Sequence, residues 1–442
     1  MKNKRNNLII KTFFLTMLFL VFGIFGFAKT SLAVPSVSGV SGTISHGNSI
    51  TISGSDFGIK NPAKPLMWDD GENATAGTFP SASPNSGSQV GYSDYQPEDI
   101  RDEYDIPETH EIHYRAIPYT AVNQAINGPH LRSTKLLVGG HWDPGLLNGD
   151  IPARDVDLTV ATPSDFANRW FATWYYRTDP DWPTPCQSGN NEKISVYQAG
   201  IQAYSNSPYT NQYHYFDLAT KSCTDAGYVT MKTMSSDSSP IGNAFVTSGS
   251  YSGDLPQTTT PWNYNMGIVP VERPAHSQRD QWVRYEQRIS NDQGFDRFLI
   301  DNTDVWWGSD QPYFFTDVSE MAYAGIRSYS VGGYFRYQDA PNRTHNNAFR
   351  YFDDIYIDST LSRVMLGDAS VYTSCTILEP QPPTTWSSSS ITVTVNQGAL
   401  PDGTAYLFAF DADGNISSGY PVTLGETSDT TPPSAPSGLS VS

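Results

Sequence analysis

The stretch FRYFDDIYID, Phe349–Asp358, has the apolar and aromatic density of a buried β-strand and two adjacent acids in its middle. Side chains alternate faces along a strand, so Phe349, Tyr351, Asp353, Ile355 and Ile357 are expected to share one face. That face is apolar except for one carboxylate, with Asp354 directly behind it. A carboxylate in such a place must be hydrogen-bonded, paired or metal-bound. Two readings follow. A cation sits against the strand, or Asp353 marks a bulge and accepts hydrogen bonds from backbone N–H groups or from an arginine such as Arg350 or Arg363.

The rest of the chain supports an all-β fold. Tyr, Phe, Thr, Val and Trp are abundant, and Gly, Pro, Ser, Asn and Asp interrupt them at short intervals. Strand patterns recur in RWFATWYYR (169–177), EKISVYQAGIQAY, QYHYFDL, GYVTMKTM, QWVRYEQRIS (281–290), FDRFLIDNT, DVWWGS and AYAGIRSYSVGGYFRYQ. No long amphipathic helix is present, and PEDIRDEYDI offers one or two helical turns at most.

Residues 1–33 carry the signs of an export signal: a basic MKNKRNN, an apolar TFFLTMLFLVFGIFGFA and small residues at Ser31 and Ala33. Cleavage is expected after Ala33, and an uncleaved anchor is the alternative. No later run is apolar enough to span a bilayer, so the mature chain is expected to be secreted or held at the cell surface. Losing the five Lys and Arg of the leader takes the formal net charge from −18 to −23. Such a surface repels nucleic acid and anionic membranes, and it suits recruitment of Ca²⁺. Three cysteines are too few for a disulfide framework. A Cys186–Cys223 bridge leaves Cys375 buried, and the other two pairings stay open.

Two separated segments resemble one small domain. PSVSGVSGTISHGNSITISGSDFGIK (35–60) contains an alternating SITIS strand and a glycine-rich turn. RVMLGD (363–368) and TTWSSSSITVTVNQGALPDGTAYLFAFDADGNISSGYPVTLG (384–425) supply further alternating strands and the turn DADGN. Together they resemble an IPT/TIG domain, an immunoglobulin-like sandwich. The resemblance implies a sandwich in two parts, 34–64 and 359–426, with residues 65–358 inserted at its FG turn. Three modules in a row are the competing arrangement. Insertion is favoured because half a sandwich cannot bury its own face. The tail 427–442 reads as a linker and resembles the start of a fibronectin type III domain.

The inserted segment resembles the concanavalin A-like lectin/glucanase jelly-roll, on WVRYE (282–286), IDN (300–302) and FDDIYI (352–357). The resemblance implies that its first and last strands are neighbours. The acids of KPLMWDDGENA (Asp69, Asp70, Glu72) would then meet Asp353 and Asp354, and a structural Ca²⁺ would offset their repulsion.

Polysaccharide or cell-surface glycan is the expected partner. On QWVRYEQRIS the face Trp282, Arg284, Glu286, Arg288 has the aromatic and charged groups of a sugar-binding sheet. A solvated outer face laced with Arg–Glu pairs would look the same. Lyase chemistry by β-elimination would call on His214, Tyr215 and Arg336, with Tyr213, Tyr334 and Arg284 as further residues of suitable type. The paired carboxylates of a concanavalin-like glucanase, E-x-D-x-x-E on one strand, are absent. HEIH (110–113) points its two rings to opposite faces of a strand, which does not suit zinc, and His141 is expected in a turn beside Trp142. No P-loop, nucleophile elbow or dinucleotide fingerprint occurs. The leading expectation is a secreted glycan-binding or matrix module. A polysaccharide lyase and a ligand-free spacer are the alternatives.

Overall fold

The computed structural model describes residues 33–78, 80, 87–92, 109–116, 119–121, 124–126, 128–142, 151–161, 167–178, 191–202, 212–219, 228–235, 246–247, 282–290, 295–301, 303–307, 322–337 and 347–425. Residues 1–32 of the expected leader, Cys186, Cys223 and the tail 426–442 lie outside these. Among the described residues no helix is long and apolar enough to cross a membrane. Cys375 is buried, and its Sγ donates to the Ala369 carbonyl at 3.3 Å.

The chain is all-β, with antiparallel sheets throughout. Two four-stranded sheets form a small sandwich. One runs Ser36–Ser41, Ser49–Ser55, Ser390–Thr394, Pro383–Trp386, and the other Leu378–Gln381, Arg363–Gly367, Gly403–Phe410, Tyr420–Leu424. The alternation in SITIS and SITVT turns one apolar row from each strand inward. Ile50 lies opposite Val393 and Ile52 opposite Ile391. All four pack in one buried cluster with Phe57, Val364, Leu366 and Leu407. Gly54 is required where it stands, since a Cβ there would lie 1.9 Å from the Ser36 carbonyl oxygen and 2.4 Å from the Phe57 ring. Phe57 is thereby seated, and its carbonyl accepts from Trp386 Nε1 at 3.2 Å.

Between these two parts the chain builds two larger sheets. The six-stranded sheet runs Val246–Thr247, Tyr228–Ser235, Gln212–Ala219, Asn191–Gln202, Ala322–Tyr337, Ile151–Ala161. The eight-stranded sheet runs Thr303–Trp307, Phe295–Ile300, Val283–Ser290, Arg169–Thr178, Asn347–Asp358, Lys135–Trp142, Thr109–Ala116, with Met67–Asp69 also paired to Asn347–Asp358. Aromatic rings join the two sheets. Trp170 stacks on Tyr329 at 5.8 Å, and Trp174 meets the same ring edge-on at 6.4 Å.

The small sandwich covers the other face of the eight-stranded sheet, and both belong to one compact unit. Phe171 and Tyr356 pack there with Met365, Tyr372, Leu378, Phe408 and Phe410. The strand Arg169–Thr178 is therefore buried on both faces, which explains why it carries aromatic residues on each of them.

The uninterrupted alternation expected of Phe349–Asp358 does not hold. Asp353 lies opposite Tyr175, and Tyr356 opposite Thr173, so three steps on one strand face two on its neighbour. This is a β-bulge, and Asp354 takes the left-handed conformation at φ 47°. Cross-strand partners share a face. Tyr351, Asp353, Tyr356 and Asp358 thus turn toward the small sandwich, while Phe352 and Ile357 turn into the large one. The extra residue separates Asp353 from the isoleucines with which it was expected to share a face.

Candidate functional site

The bulge brings two carboxylates to the seam between the sandwiches. Asp353 accepts from Ser133 Oγ at 2.6 Å and, on its other oxygen, from the Asp354 N–H at 2.9 Å. Asp354 Oδ2 lies 3.1 Å from His130 Nε2 and accepts from Asn396 Nδ2 at 3.4 Å. Both acids are 3% exposed. One ligand atom each from His130, Asp353 and Asp354 lies within 4.8 Å of the other two, an acidic group able to hold a metal ion.

The small sandwich adds a third buried acid. Glu379 Oε1 accepts from the Tyr175 hydroxyl at 2.7 Å and from the Ala399 N–H at 2.8 Å. Its Oε2 has no partner. The loop after Ser390–Thr394 is moulded around this carboxylate. A Cβ at Gly398, which has φ 47°, would fall 2.2 Å from Glu379 Cδ. Asn396 links the loop to the bulge, donating to Asp354 and accepting from the Gly398 N–H at 3.1 Å.

An open cleft of about 400 Å³ leads to this seam, lined by Trp68, Asp70, Glu72, Asn73 and Asn396 among others. Trp68 lies edge-on to Tyr356 at 6.3 Å.

The electrostatics of the seam are those of negative charges short of a cation. Burial, followed by the charge of Asp354, pushes Asp70 up to about 7 and Glu379 up to about 7. The same two causes raise Asp353 well above its ordinary value. Burial works against protonation of His130, but its hydrogen bond and attraction to Asp354 outweigh that and raise it.

Of the five acids expected to meet a cation, the fold brings Asp353 and Asp354 together and sets Asp69, Asp70 and Glu72 along the cleft. Asp69 and Glu72 also carry hydrogen bonds of their own. Asp69 accepts from the Gly71 N–H at 3.0 Å and from the Tyr92 hydroxyl at 2.9 Å. Glu72 accepts from the N–H groups of Thr134 and Lys135 and from the Thr134 hydroxyl. Nor do the expected arginines reach Asp353. Arg363 is clasped between Phe171 and Phe410, 4.0 and 3.5 Å from their ring centres, and donates to the Leu361 carbonyl at 2.8 Å. Arg350 sits next to Phe352 on the closing strand, level with Thr178 and one residue out of phase with Tyr351 and Asp353.

The face proposed for sugars is enclosed rather than open. Glu286 is fully buried between Arg284, at 2.8 Å, and Arg288. Arg284 also donates to Thr173 Oγ1 at 2.9 Å, and Arg288 lies over the Tyr372 ring of the small sandwich at 5.4 Å. Only Trp282 and Arg288 of the four keep partial exposure. A covering layer, invisible in the local pattern, converts this face into an internal ion-pair network.

The three lyase candidates do not converge along the backbone. His214 and Tyr215 lie opposite Tyr197 and Val196 in the middle of the strand Asn191–Gln202, whereas Arg336 lies opposite Asn191 at its start. At about 3.3 Å per residue this is on the order of 15–20 Å. Their side chains lie outside the described residues, as do those of His110, His113 and His141.

Sequence reasoning missed His130, Ser133, Glu379 and Asn396. None sits in an alternating pattern of acids. The available signals were the breaker-rich NGPHLRST and the acid of TILEPQPP flanked by prolines.

No protein-family profile matches this chain, and no curated protein matches it. Among solved structures it is similar to a mutant of the alginate lyase Aly36B in complex with alginate trisaccharide, with 10% identity over 67% of this chain and 98% of that one and a TM-score of 0.31. It is also similar to the metal-free carbohydrate recognition domain of Emp46p, with 9% identity over 66% and 99% and a TM-score of 0.27. A third is domain 4 of AbnA, a GH43 extracellular arabinanase from Geobacillus stearothermophilus, in complex with arabinotriose, with 13% identity over 57% and 84% and a TM-score of 0.21. Likenesses this distant carry no argument about the chemistry of this chain.

Proposed function

We propose that this is an exported or surface-held glycan-binding protein that takes its ligand in the cleft at the sandwich seam. The observation that carries the reading is the lining of that cleft. Trp68, partly exposed, stands beside Asp70, Asn73 and Asn396 in a space of about 400 Å³. An aromatic face accepts the C–H surface of a sugar, and neighbouring carboxylates and amides bond its hydroxyls. The large sandwich is read as a concanavalin A-like module. The small one is read as an IPT/TIG-like domain interrupted after its FG turn, and the tail as the start of a fibronectin type III-like domain. A structural Ca²⁺ at Asp353 and Asp354 completes the reading, because several buried carboxylates of one sign are the ligand set that such an ion takes. A glycan array run in Ca²⁺ and in chelator tests it. Binders are expected in Ca²⁺, and their signal should fall at least tenfold on Trp68→Ala. A panel with no binder, or binding indifferent to Trp68→Ala, would overturn the assignment.

A further inference from the structure

We infer that the seam holds one hard divalent cation of the Ca²⁺ class, and that the small sandwich supplies part of its shell through Glu379, so that the ion pins the two sandwiches together. The inference rests on the cation of the preceding reading and adds its missing ligand.

The decisive group is the Glu379 carboxylate. It is fully buried, its Oε1 is held by Tyr175 and Ala399, and its Oε2 is bare. A carboxylate fixed on one oxygen and unfilled on the other is the arrangement of an oriented ligand with its outer partners in place. It would be costly without a counter-charge. The same Tyr175 that holds Glu379 lies edge-on to His130 at 6.2 Å and opposite Asp353 on the next strand. Asn396, from the loop that wraps Glu379, donates to Asp354. Glu379 therefore belongs to the same neighbourhood as the two acids of the bulge.

Among the described residues no ion pair reaches Glu379; Arg284, opposite Tyr175, pairs instead with Glu286 at 2.8 Å and keeps a bare Nη2. Arg132 spends its guanidinium on the Gly398 carbonyl at 3.0 Å, the Leu400 carbonyl at 3.5 Å and Asp402 at 3.6 Å. Among the described residues, that leaves two imidazoles against three buried acids: His46, on the cleft wall and accepting from the Gln397 N–H at 3.4 Å, and His130. Both ring nitrogens of His130 are engaged, Nε2 with Asp354 and Nδ1 with Ser133 Oγ at 3.2 Å and the Arg132 N–H at 3.3 Å. The His130 imidazole is thus placed as an outer hydrogen-bonding partner. Oxygen donors remain, and those select Ca²⁺ over Zn²⁺. The cleft at Asp70 and Asn396 gives an ion its way in.

Terbium(III), an oxygen-seeking stand-in for Ca²⁺, tests this on the intact protein by luminescence sensitised from the nearby Trp68. Emission is expected, with displacement by Ca²⁺. Glu379→Gln should weaken terbium binding 10- to 100-fold, and the exposed-site control Asp56→Asn should leave it unchanged. In calorimetry, Ca²⁺ should give one unfolding transition and chelator two, as the sandwiches uncouple. Unaltered affinity in Glu379→Gln would assign the ion to the large sandwich alone and overturn the shared shell. Displacement by Zn²⁺ but not by Ca²⁺ would overturn the ion class. No terbium emission in the parent, with no Ca²⁺-dependent change in melting, would overturn the site. These readouts need no glycan, so a glycan panel without binders would sink the proposed function and leave this inference standing.

Discussion

Replacing Lys60 with methionine should cost about 3–5 kcal/mol, the price of breaking a buried ion pair by removing one partner. Lys60 Nζ lies 2.7 Å from Asp358 Oδ2, with side chains 4% and 1% exposed. Nζ also donates to the Ala63 carbonyl at 2.6 Å, and Asp358 accepts from the Tyr356 hydroxyl at 3.2 Å. The pair stands where the chain crosses between sandwiches in both directions, just after the first part of the small one and at the end of the closing strand. With the 2.7 Å separation and an effective dielectric of about 20, the gross attraction is about 6 kcal/mol. Burial lowers Lys60 and raises Asp358 from their ordinary values, so desolvation cancels much of that attraction. The net worth of the pair is therefore small, while an unpaired Asp358 bears the full desolvation cost. The double variant Lys60→Met/Asp358→Asn should recover most of the loss, giving a coupling energy of at least ~2 kcal/mol in a double-mutant cycle. Urea unfolding followed by tryptophan fluorescence measures all four proteins. A single-variant cost under ~1 kcal/mol, or a double variant no better than the sum of the singles, would refute the reasoning.

Three further outcomes follow from particular contacts. Burial opposes ionisation of Glu286, but Arg288 and Arg284 outweigh it and hold the carboxyl down to about 2. A depressed carboxylate stabilises the fold above its unfolded value and loses that contribution as pH falls through the folded one. About 3 kcal/mol should therefore disappear between about pH 4.5 and pH 2, and Glu286→Gln should abolish that step in melting-temperature profiles. Gly54→Ala should destabilise by about 2–4 kcal/mol in chemical denaturation, because its Cβ collides with the Ser36 carbonyl and the Phe57 ring. Phe57→Ala, emptying a fully buried site in the small core, should cost about 3–5 kcal/mol in the same assay.

What the sequence made legible was what two-residue periodicity can carry. SITIS and SITVT each show an apolar row and a polar row, so a sandwich strand with one solvated face is the natural reading, and Ile50 does lie opposite Val393. Phe349–Asp358 was legible as a strand but not in its register. One extra residue reverses every face beyond it, and a bulge leaves no periodic trace. The available hint was the acid pair itself, since aspartate tolerates the left-handed conformation better than most residues. The Arg284, Glu286, Arg288 row illustrates a different limit. Its alternation is real, but whether such a row meets water or another sheet depends on what the chain places above it, and that layer comes from residues 363–425. His130 and Glu379 were unreadable for the same reason, each being meaningful only in the company of residues more than 200 positions away.

Among the described residues, buried polar pairs gather where the two hydrophobic cores meet. Lys60 with Asp358, Arg284 and Arg288 with Glu286, Tyr175 with Glu379, and Asn396 with Asp354 all lie between the eight-stranded sheet and the small sandwich. Buried pairs of this kind contribute little net stability, because desolvation offsets their attraction, but a misplaced partner is heavily penalised. Apolar contacts such as Phe171 and Tyr356 against Met365 and Phe408 would tolerate sliding; a carboxylate that must find Tyr175 and Ala399 together would not. The seam is thus held by packing and registered by charge. Most of its charges are matched within the protein; the exceptions are the acids at the bulge, Glu379 and, with the opposite sign, Arg363, which packs between two rings without a carboxylate. A fold that fixes orientation this strictly leaves one oxygen of the buried Glu379 carboxylate bare in the loop that Asn396 ties to the bulge.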